Sequence, residues 1–498
     1  MLAKNLQRYH TKINLKGEIM KGAIIGSEVF TDEKTGVVNP STGEVFEYVP
    51  KLDINQVKMA IDTAHDAYVK YADIPASGRK KLLIKAAELI RNSRDELSVT
   101  MSTEMGRPIK SSRAEIERTA QIFEYCAWEI EHVFKGDFIP LEVYESPPGN
   151  ERRIAMVTRE SIGVVASITP FNFPGASFAH KVATALAVGN TVVHKPTKNA
   201  PLTQLAIAKL LLKAGFPSGT INVVTGNSSE IGNEFTSNEK IRLITFTGSS
   251  SVGLDMAAKA TKRGIRSIME LGGSDAQIIL EDADIKSAID TVIFGRYDFS
   301  GQFCNSTKRL IVLDKISSSF ENQMIERLKN MKIGSALEEN TDFGPLISGE
   351  SVENMGKFIS DAVEKGSKII FQSEVPGKGF FFPPTLVRVQ NTEAKIVNEE
   401  VFGPILPIQV VSNDDEAIKL VNSSKYGLNA SIFSKDFSRA YQMSRKLKVG
   451  TVIINDTTRL RWDSLPFGGP KMSGIGRESI ENTMIEMTEP KVIAYKFK

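Results

Sequence analysis

The sequence predicts an α/β protein built around a parallel β-sheet, and three observations support this fold class. Between residues 163 and 270, short apolar runs typical of buried strands alternate with segments of helical periodicity. A second region of the same kind follows residue 273. The chain has 498 residues, of which 41% are hydrophobic and 24% charged, so it is long enough for two or three globular domains. Strands that alternate with helices require crossover connections, which make the strands parallel.

The two α/β regions are predicted strand by strand. In the first, the strands are residues 163–170, 191–195, 221–225, 241–247 and 266–270, and the helices are residues 175–187, 201–214 and 250–262. In the second, the strands are residues 275–280, 308–313, 367–371, 405–411, 430–434 and 450–455, with helices between them.

The flanking segments are less regular. Residues 23–30 and 36–40 are predicted to be extended, and residues 54–71, 77–93 and 113–132 carry apolar residues at helical spacing. Residues 140–145 and 151–159 are predicted to form a hairpin around a Ser-Pro-Pro-Gly-Asn turn. This hairpin is too charged to have a core of its own. We therefore expect it and the extended tail 491–497 to form an arm that contacts another subunit.

Polar residues follow the strands of the first region at their carboxyl ends, where doubly wound sheets bind ligands. Gly248 and Ser249 end a strand and open a helix, so their N–H groups could bind a pyrophosphate, although such a turn more often only caps the helix. Lys195 ends the second strand, and Lys198 adds a second positive charge. Because an acidic residue there would favour an unphosphorylated ribose, the two lysines favour NADP.

Cys304 is one of only two cysteines and lies among small and polar residues. We expect its thiolate to be exposed and stabilised there, as covalent catalysis requires, while a buried packing role is the alternative. Glu270 follows a strand on a Gly-Gly turn, a place from which a carboxylate can act as a general base. Cys126 falls on a predicted helix and is interpreted as a buried thiol.

Seven motifs together resemble the aldehyde dehydrogenase superfamily over essentially the whole chain. They are Pro170-Phe-Asn172-Phe-Pro174, Gly189-Asn-Thr-Val-Val-His-Lys195-Pro, Phe246-Thr-Gly-Ser249, Glu270-Leu-Gly-Gly273, Gly301-Gln-Phe-Cys304, Glu400-Val-Phe402-Gly-Pro404 and Pro466-Phe-Gly-Gly-Pro-Lys471-x-Ser-Gly. The resemblance implies a three-layer fold with a Rossmann-like cofactor domain at residues 1–139 and 161–272 and an α/β catalytic domain at residues 273–477. It also implies an oligomerisation arm and tail at residues 140–160 and 478–498, and a homodimer or homotetramer.

The resemblance also implies roles for individual residues. Cys304 would attack an aldehyde, the Asn172 amide and the Cys304 N–H would hold the oxyanion, and Glu270 would activate the water that hydrolyses the thioester. Lys181 and Glu478 match a supporting proton-relay pair. The implied cofactor-binding residues are Thr169, Pro170, Lys195, Thr197, Lys198, Gly226, Thr247, Gly248, Ser249, Leu271, Glu400 and Phe402.

Departures from the family bear on the substrate. Phe303 and Phe173 stand where relatives that oxidise glyceraldehyde 3-phosphate have an arginine and a tyrosine, which disfavours a phosphorylated substrate. The residues expected to face the substrate are Phe173, Phe303, Asn305, Arg459, Arg461 and Asp463. The activity that the resemblance implies is the oxidation of a small polar hydroxyaldehyde, such as D-glyceraldehyde or lactaldehyde, with NADP preferred and NAD as the alternative cofactor.

Other functions stay open at this point. Within the family they are a semialdehyde dehydrogenase, a non-phosphorylating glyceraldehyde-3-phosphate dehydrogenase and a CoA-acylating enzyme. The last needs no general base, so Glu270 argues against it. An inactive structural protein of the same fold is the alternative from another class.

The composition predicts few other partners. A net charge of +3 with acidic and basic residues interspersed gives no basic stripe for nucleic acid. No apolar run is long enough to cross a membrane and no export signal is recognised, so a cytoplasmic protein is expected. No His/Cys cluster has metal-ligand spacing, so no metal is expected.

Overall fold

A computed structural model describes residues 22–498 of the chain and has the predicted mixed α/β architecture. Residues 1–21 of the predicted cofactor domain lie outside the described residues. The strands, in chain order, are β1 (Ala23–Ile25), β2 (Ser27–Val29), β3 (Lys34–Asn39), β4 (Glu44–Pro50), β5 (Asp137–Pro140), β6 (Arg153–Ser161), β7 (Val164–Ile168), β8 (Thr191–Lys195), β9 (Ile221–Val223), β10 (Ile241–Thr247), β11 (Arg266–Glu270), β12 (Asp275–Ile279), β13 (Thr307–Leu313), β14 (Lys368–Gln372), β15 (Thr385–Arg388), β16 (Ile405–Val411), β17 (Asn429–Phe433), β18 (Thr451–Ile454), β19 (Gly474–Ile475) and β20 (Thr488–Lys496).

The helices run between these strands. They are α1 (Ile54–Ala72), α2 (Ala76–Asn92), α3 (Arg94–Met105), α4 (Ile109–Phe134), α5 (Pro174–Ala187), α6 (Leu202–Ala214), α7 (Ser228–Ser237), α8 (Ser250–Lys262), α9 (Ile285–Tyr297), α10 (Asp314–Lys329), α11 (Gly349–Glu364), α12 (Lys395–Asn398), α13 (Asp414–Ser423), α14 (Phe437–Ser444) and α15 (Ile480–Glu486).

The first sheet has the strand order β19-β11-β10-β7-β8-β9-β1-β2. Its five central strands, β11, β10, β7, β8 and β9, pair in parallel, which confirms the predicted alternation. Their carboxyl ends therefore share one edge, and the last residue of β11 is Glu270. The antiparallel strand β19 pairs with β11 and brings Gly474 opposite Glu270, so the segment around residue 474 lies beside the same edge.

The second sheet has the order β14-β15-β16-β13-β12-β17-β18. Strands β12 and β13 are its central parallel pair, and both are entirely buried. The loop before β12 contains Gly273, and the loop before β13 contains Cys304. The predicted motifs that contain Gly273 and Cys304 therefore lie directly before two neighbouring strands of the second sheet. The division of the chain into two domains and an arm stays a prediction.

The predicted hairpin is wrong in its first strand. Strand β5 ends at Pro140, and residues 141–145 are not a strand but begin with a helical turn at Leu141–Val143, in which the Tyr144 N–H donates to the Leu141 carbonyl at 3.0 Å. Proline has no N–H to continue a ladder, which is why the strand stops there. Strand β6 pairs antiparallel with both β5 and the tail strand β20, so the tail and the arm form one three-stranded sheet within a single chain.

Helix α5 is the most completely buried long helix at the site. Thirteen of its residues are buried, among them His180 and Lys181, because the helix is rich in alanine and lies beneath α4. Small side chains allow this close approach, and they leave the two polar side chains no route to bulk water. Among residues 22–498 no helix is long and apolar enough to cross a membrane, and no three potential metal ligands cluster together.

Candidate active site

One cavity of about 320 Å³ lies where the carboxyl edge of the first sheet meets the start of the second sheet. Cys304, Glu270 and Asn172 all line it, although they come from separate segments. Asn172 lies between β7 and α5, Glu270 ends β11, and Cys304 lies just before β13. The three side chains that the sequence singled out for chemistry therefore share one cavity.

Cys304 follows a tight turn whose backbone is left-handed. Phe299, Ser300 and Gly301 have φ angles of 46°, 56° and 72°. The Ser300 hydroxyl donates to the Gly344 carbonyl at 2.5 Å and holds the turn in place. The turn follows α9 directly and directs the chain past the cavity before β13 begins.

The Cys304 thiol is partly buried. Burial raises the pKa of this thiol to about 12, and the nearby Lys308 ammonium opposes that shift. The carboxylates of Glu400, Asp275 and Glu270 act in the same direction as burial. These surroundings favour the neutral thiol, so they disagree with the expectation of an exposed and stabilised thiolate. Such a thiol ionises only when a base or a further positive charge acts on it.

Glu270 is only 3% exposed, and neither of its carboxyl oxygens has a hydrogen-bond partner among residues 22–498. Burial raises the pKa of this carboxyl well above its usual range, and the charge of Glu478 adds to the shift. Arg461 and Lys181 oppose it. A buried carboxyl with a raised pKa and two open lone-pair sites is suited to taking up a proton during a reaction.

A buried charged triad stands beside Glu270. The Lys181 ammonium donates to Glu478 Oε1 at 2.7 Å, and the Arg461 guanidinium donates to Glu478 Oε2 at 2.8 Å. Burial disfavours the Glu478 carboxylate, yet the two cations hold its pKa well below the usual range. Glu478 therefore stays ionised while Glu270 is driven toward its acid form. Two carboxyl groups in one site with pKa values pushed apart are typical of acid–base machinery.

The loop that carries Asn172 is anchored from α4. Glu115 Oε1 accepts hydrogen bonds from the N–H groups of Gly175 at 3.0 Å and Ala176 at 3.3 Å, at the start of α5. Arg107 pairs with the same carboxylate. A buried carboxylate at a helix N-terminus accepts hydrogen bonds from N–H groups that have no acceptor within the helix. The Arg107–Glu115 pair therefore fixes the start of α5 and the position of Asn172 just before it.

A second cleft opens from the cavity. The two share Pro170, Thr247, Gly248 and Ser249 in their walls. Ser249 occupies the position before α8. Within residues 22–498 its side chain makes no capping hydrogen bond, and the buried Thr247 hydroxyl has no hydrogen-bond partner. Both hydroxyls are therefore available to a ligand at the start of α8, where N–H groups favour an anion.

Basic residues lie at the far end of this cleft. Thr169, Lys195, Thr197 and Lys198 line it. The Lys195 ammonium donates to the Pro196 carbonyl at 3.0 Å, and its pKa is lowered to about 8 by burial and by the charge of Lys198. An anionic group placed between the two lysines would relieve this repulsion. The cleft thus fits the phosphates of a dinucleotide.

Gly226 does not line this cleft. It borders a small neighbouring pocket with Thr197 and Lys198, and its Cα lies against the backbone of Leu52. Leu271, Glu400 and Phe402, by contrast, line the main cavity.

The residues expected to face the substrate divide into two groups. Phe173, Asn305, Arg459 and Arg461 line the cavity. Phe303 does not: it is fully buried behind the wall, 4.9 Å from the Phe173 ring, so its expected contact with a substrate is wrong. The Arg459 guanidinium lies 3.9 Å above the Phe303 ring. Phe303 thus supports the residues that line the cavity.

Asp463 also lies outside the cavity, and its expected contact with substrate is wrong. It accepts hydrogen bonds from Arg118 at 2.5 and 3.1 Å and is 2.8 Å from His180 Nε2. Arg118 and His180 do line the cavity. Asp463 acts behind them, and its own carboxylate is satisfied.

Comparison with known proteins gives the geometry a family context. The sequence model of the aldehyde dehydrogenase family matches residues 29–493. The chain belongs to the aldehyde dehydrogenase family. It is 36% identical over 466 residues to a lactaldehyde dehydrogenase of Methanocaldococcus jannaschii, covering 93% of this chain and 97% of that protein. It is also 36% identical to a 3-sulfolactaldehyde dehydrogenase of Priestia aryabhattai, covering 93% and 95% of the two chains. It is therefore an NAD(P)-dependent oxidoreductase.

Solved structures agree with this assignment. The NADP-dependent glyceraldehyde-3-phosphate dehydrogenase of Bacillus halodurans C-125, crystallised with NADP, superposes with a TM-score of 0.91 at 35% identity and covers 95% of this chain and 98% of that one. The fold class predicted from the alternating strands and helices is confirmed as that of the aldehyde dehydrogenases.

Two residues of this aldehyde dehydrogenase site could not be recognised in the sequence. Arg118 lies on α4 among helical periodicity typical of a surface helix, and His180 lies next to Lys181 on α5. Neither belongs to a strand end or to a motif with a glycine turn. Their position in the cavity follows from the packing of α4 on α5, and sequence spacing does not reveal it.

Proposed function

We propose that this chain is an NADP-preferring, hydrolytic aldehyde dehydrogenase that oxidises a small polar aldehyde to its carboxylic acid. One observation carries the proposal: Cys304, Glu270 and Asn172 line one cavity, and that cavity opens into a cleft lined by two lysines. A nucleophile, a base and an amide donor on different segments are the set that acyl transfer needs.

The proposed reaction uses each of these groups once. The Cys304 thiol gives up its proton to solvent, and its sulfur adds to the aldehyde carbon to give a thiohemiacetal, whose oxyanion the Asn172 amide and the Cys304 N–H stabilise. Loss of one such donor costs about 3–4 kcal/mol of barrier. NADP, when bound, accepts the hydride that leaves this carbon. Glu270, in its ionised form, then takes a proton from the water that attacks the resulting thioester; the C–S bond breaks with the Cys304 thiolate as leaving group, and the carboxylic acid is released.

The cofactor preference rests on the charge of the cleft. Lys195 and Lys198 line its far end, and the carboxylate in its wall, Asp255, is paired with Lys259 at 2.7 Å. Two lysines without a free carboxylate suit a 2′-phosphate. The similarity to an enzyme crystallised with NADP supports the same preference.

Lys198→Glu tests the preference for NADP. A carboxylate at this exposed position would repel the 2′-phosphate and accept the ribose hydroxyls of NAD, so the ratio of kcat/KM for NADP to that for NAD should fall at least about tenfold, which is about 1.4 kcal/mol. Lys262→Glu serves as the control, because it places the same charge at an exposed position of α8 outside the cleft wall. An unchanged ratio in Lys198→Glu would mean that the 2′-phosphate is recognised elsewhere.

For the substrate we propose a hydroxyaldehyde such as lactaldehyde or D-glyceraldehyde, which the similarity to a lactaldehyde dehydrogenase supports. A second candidate is an aldehyde that carries a carboxylate or sulfonate. Arg118, Arg459 and Arg461 favour it, because all three line the cavity. Each is already paired with a carboxylate, but a guanidinium has five N–H donors and can bind a second anion. The similarity to a sulfolactaldehyde dehydrogenase supports this candidate.

One assay with two enzymes tests the proposal. Wild type is given lactaldehyde, D-glyceraldehyde, succinate semialdehyde and 3-sulfolactaldehyde with NADP, and NADPH is followed by absorbance. Cys304→Ser should retain NADP binding, measured by fluorescence titration, but lose turnover by a factor of at least about 10³. Turnover by Cys304→Ser at the wild-type rate would refute the nucleophile. The ratio of kcat/KM between the anionic and neutral aldehydes decides between the two substrate classes.

A further inference from the structure

Lys308 is a buried ammonium directly behind the cavity. Its side chain is 1% exposed, and it is the second residue of β13. It is absent from the cavity wall, so it cannot contact a substrate. A buried lysine is rare unless its charge is paired, which raises the question of what holds it there.

Three acceptors surround the Lys308 ammonium. It donates to the carbonyl oxygen of Phe303 at 2.6 Å and to that of Cys304. It also pairs with Glu400 Oε1 at 3.2 Å. One cation therefore joins two consecutive carbonyls of the nucleophile segment to the carboxylate that lines the cofactor side of the cavity.

These contacts fix the direction of the Cys304 N–H. In a trans peptide the C=O and N–H groups of one unit point in opposite directions, and the bond between Phe303 and Cys304 is trans. Because the Phe303 carbonyl points at Lys308, the Cys304 N–H points away from it. That N–H has no backbone acceptor among residues 22–498, so it stays available as an oxyanion donor.

The Cys304 carbonyl is clamped from the other side as well. A Cβ at Gly273 would approach the Cys304 oxygen to 2.5 Å, so only glycine fits there. The Gly273 N–H donates to the same Glu400 oxygen that pairs with Lys308, at 3.1 Å. Lys308, Gly273 and Glu400 thus form a closed ring of contacts around the peptide that follows Cys304.

We propose that Lys308 is a positioning residue that aims the Cys304 N–H into the oxyanion site and supplies a fixed positive charge that favours the Cys304 thiolate. The proposal rests on the proposed function of Cys304 as nucleophile. Of the charged groups that shift the pKa of the Cys304 thiol, Glu400, Asp275 and Glu270 raise it and Lys308 lowers it. Lys308 is therefore the cation that offsets them.

The test separates the charge from the geometry. Lys308→Met keeps the length of the side chain but removes the charge and the donors. Alkylation of Cys304 by iodoacetamide is measured as a function of pH by mass spectrometry, without cofactor or aldehyde. Its profile should move to higher pH by about one unit, so the alkylation rate at a fixed pH falls about tenfold. In the assay, kcat should fall about 10²-fold while KM for the aldehyde changes little, as for the loss of an oxyanion donor.

Lys471→Met is the matched control. Its ammonium also binds backbone carbonyls, those of Asn422, Ser424 and Tyr426, in another part of the second region. Its alkylation profile should match wild type. If Lys308→Met does not fold, Lys308→Gln replaces it: the neutral amide still donates to a carbonyl, so the pH shift should persist while kcat falls less.

An unchanged alkylation profile in a folded Lys308→Met or Lys308→Gln would overturn the role of the charge. An unchanged kcat in folded Lys308→Met would overturn the role in aiming the N–H. If wild type oxidises none of the aldehydes, the proposed function fails, but the alkylation of Cys304 still reports on Lys308.

Discussion

At the scale of residues, the site combines a thiol and a carboxyl whose pKa values are both raised, which favours their neutral forms. Burial raises the pKa of Cys304 to about 12 and also raises that of Glu270. Lys181 and Arg461 both pair with the Glu478 carboxylate, so they do little to stabilise the charged forms of Cys304 and Glu270. A resting site of this kind protects the thiol from oxidation and alkylation, because both require the thiolate.

Glu270→Ala tests the base. Removal of the carboxyl should leave thioester formation in place but slow its hydrolysis, so NADPH should appear as a single burst equal to the enzyme concentration and then nearly stop. Glu270→Gln, which has the same shape but no basic oxygen pair, should stall in the same way. Stopped-flow absorbance measures both phases. Undiminished steady-state turnover in either variant would exclude Glu270 as the base.

The same residues show how far the sequence predicts the site. Asn172 and Glu270 could be placed at one edge because each follows a strand of the predicted parallel sheet, whereas Cys304 was placed with them only through the family resemblance. The raised pKa of the Cys304 thiol could not be predicted from the sequence, because the pKa of a thiol depends on burial and neighbouring charge and not on sequence composition. Arg118 and Lys308 were missed for a related reason: a helix face and a buried strand give no sign that a charged side chain reaches the site.

At the scale of elements, the backbone of the turn before Cys304 is tightly constrained. Its three left-handed residues include Gly301, where a Cβ would approach the Gly403 carbonyl oxygen to 2.6 Å and that of Arg296 to 2.8 Å. A backbone oxygen can move aside only if the main chain shifts, which costs free energy. The direction in which the chain passes the cavity therefore depends on this glycine.

Gly301→Ala should destabilise the protein and displace Cys304. The left-handed conformation costs about 1–2 kcal/mol for alanine, and the clash adds about 1–3 kcal/mol. Gly366→Ala is the matched control: its φ is 83°, but nothing lies within 4 Å of the new Cβ, so it should show the first cost alone and keep full activity. Urea unfolding gives the stabilities. Equal losses of unfolding free energy in both variants would mean that the close approach at Gly301 does not affect stability.

Other elements show why local patterns fail where they do. Strands β3 and β4 pair with each other, yet only a short extended piece at residues 36–40 was predicted, because their exposed and buried residues do not alternate cleanly. Helix α3 was missed because its apolar stripe is weak, although it buries Leu97, Met101 and Met105. In both cases the packing partner decides the structure, and local propensity does not.

At the scale of the whole molecule, the first sheet carries the proposed base and the proposed cofactor cleft, while the second carries the proposed nucleophile. The site exists only where the two meet, since Glu270 ends β11 and Cys304 precedes β13. Lys181 on α5, beside the first sheet, pairs with Glu478, whose segment returns from the second sheet through β19. This return explains why motifs that act together are spread over most of the chain.

The three-stranded sheet of β5, β6 and β20 indicates how subunits assemble. In the register of β5, β6 and β20, Phe138, Met156 and Ile493 lie opposite one another and so share a face. They are 64%, 41% and 45% exposed, and Tyr495 on the same face is 58% exposed. An apolar face this open, next to the unpaired edge of the nine-residue strand β20, is a site at which another chain is expected to pack.

We therefore expect a homodimer or homotetramer that depends on this face. Ile493→Glu puts a charge in the middle of the apolar row, and burying that charge without a partner costs several kcal/mol, so sedimentation velocity should show a shift to a smaller species at micromolar concentration. Val363→Glu places the same charge at a valine of similar exposure, 49%, on α11 and should leave the assembly unchanged. Since Ile493 lies outside the cavity, dissociated Ile493→Glu should still be alkylated at Cys304 with the wild-type pH profile. An Ile493→Glu variant that sediments as wild type would show that the subunits meet elsewhere.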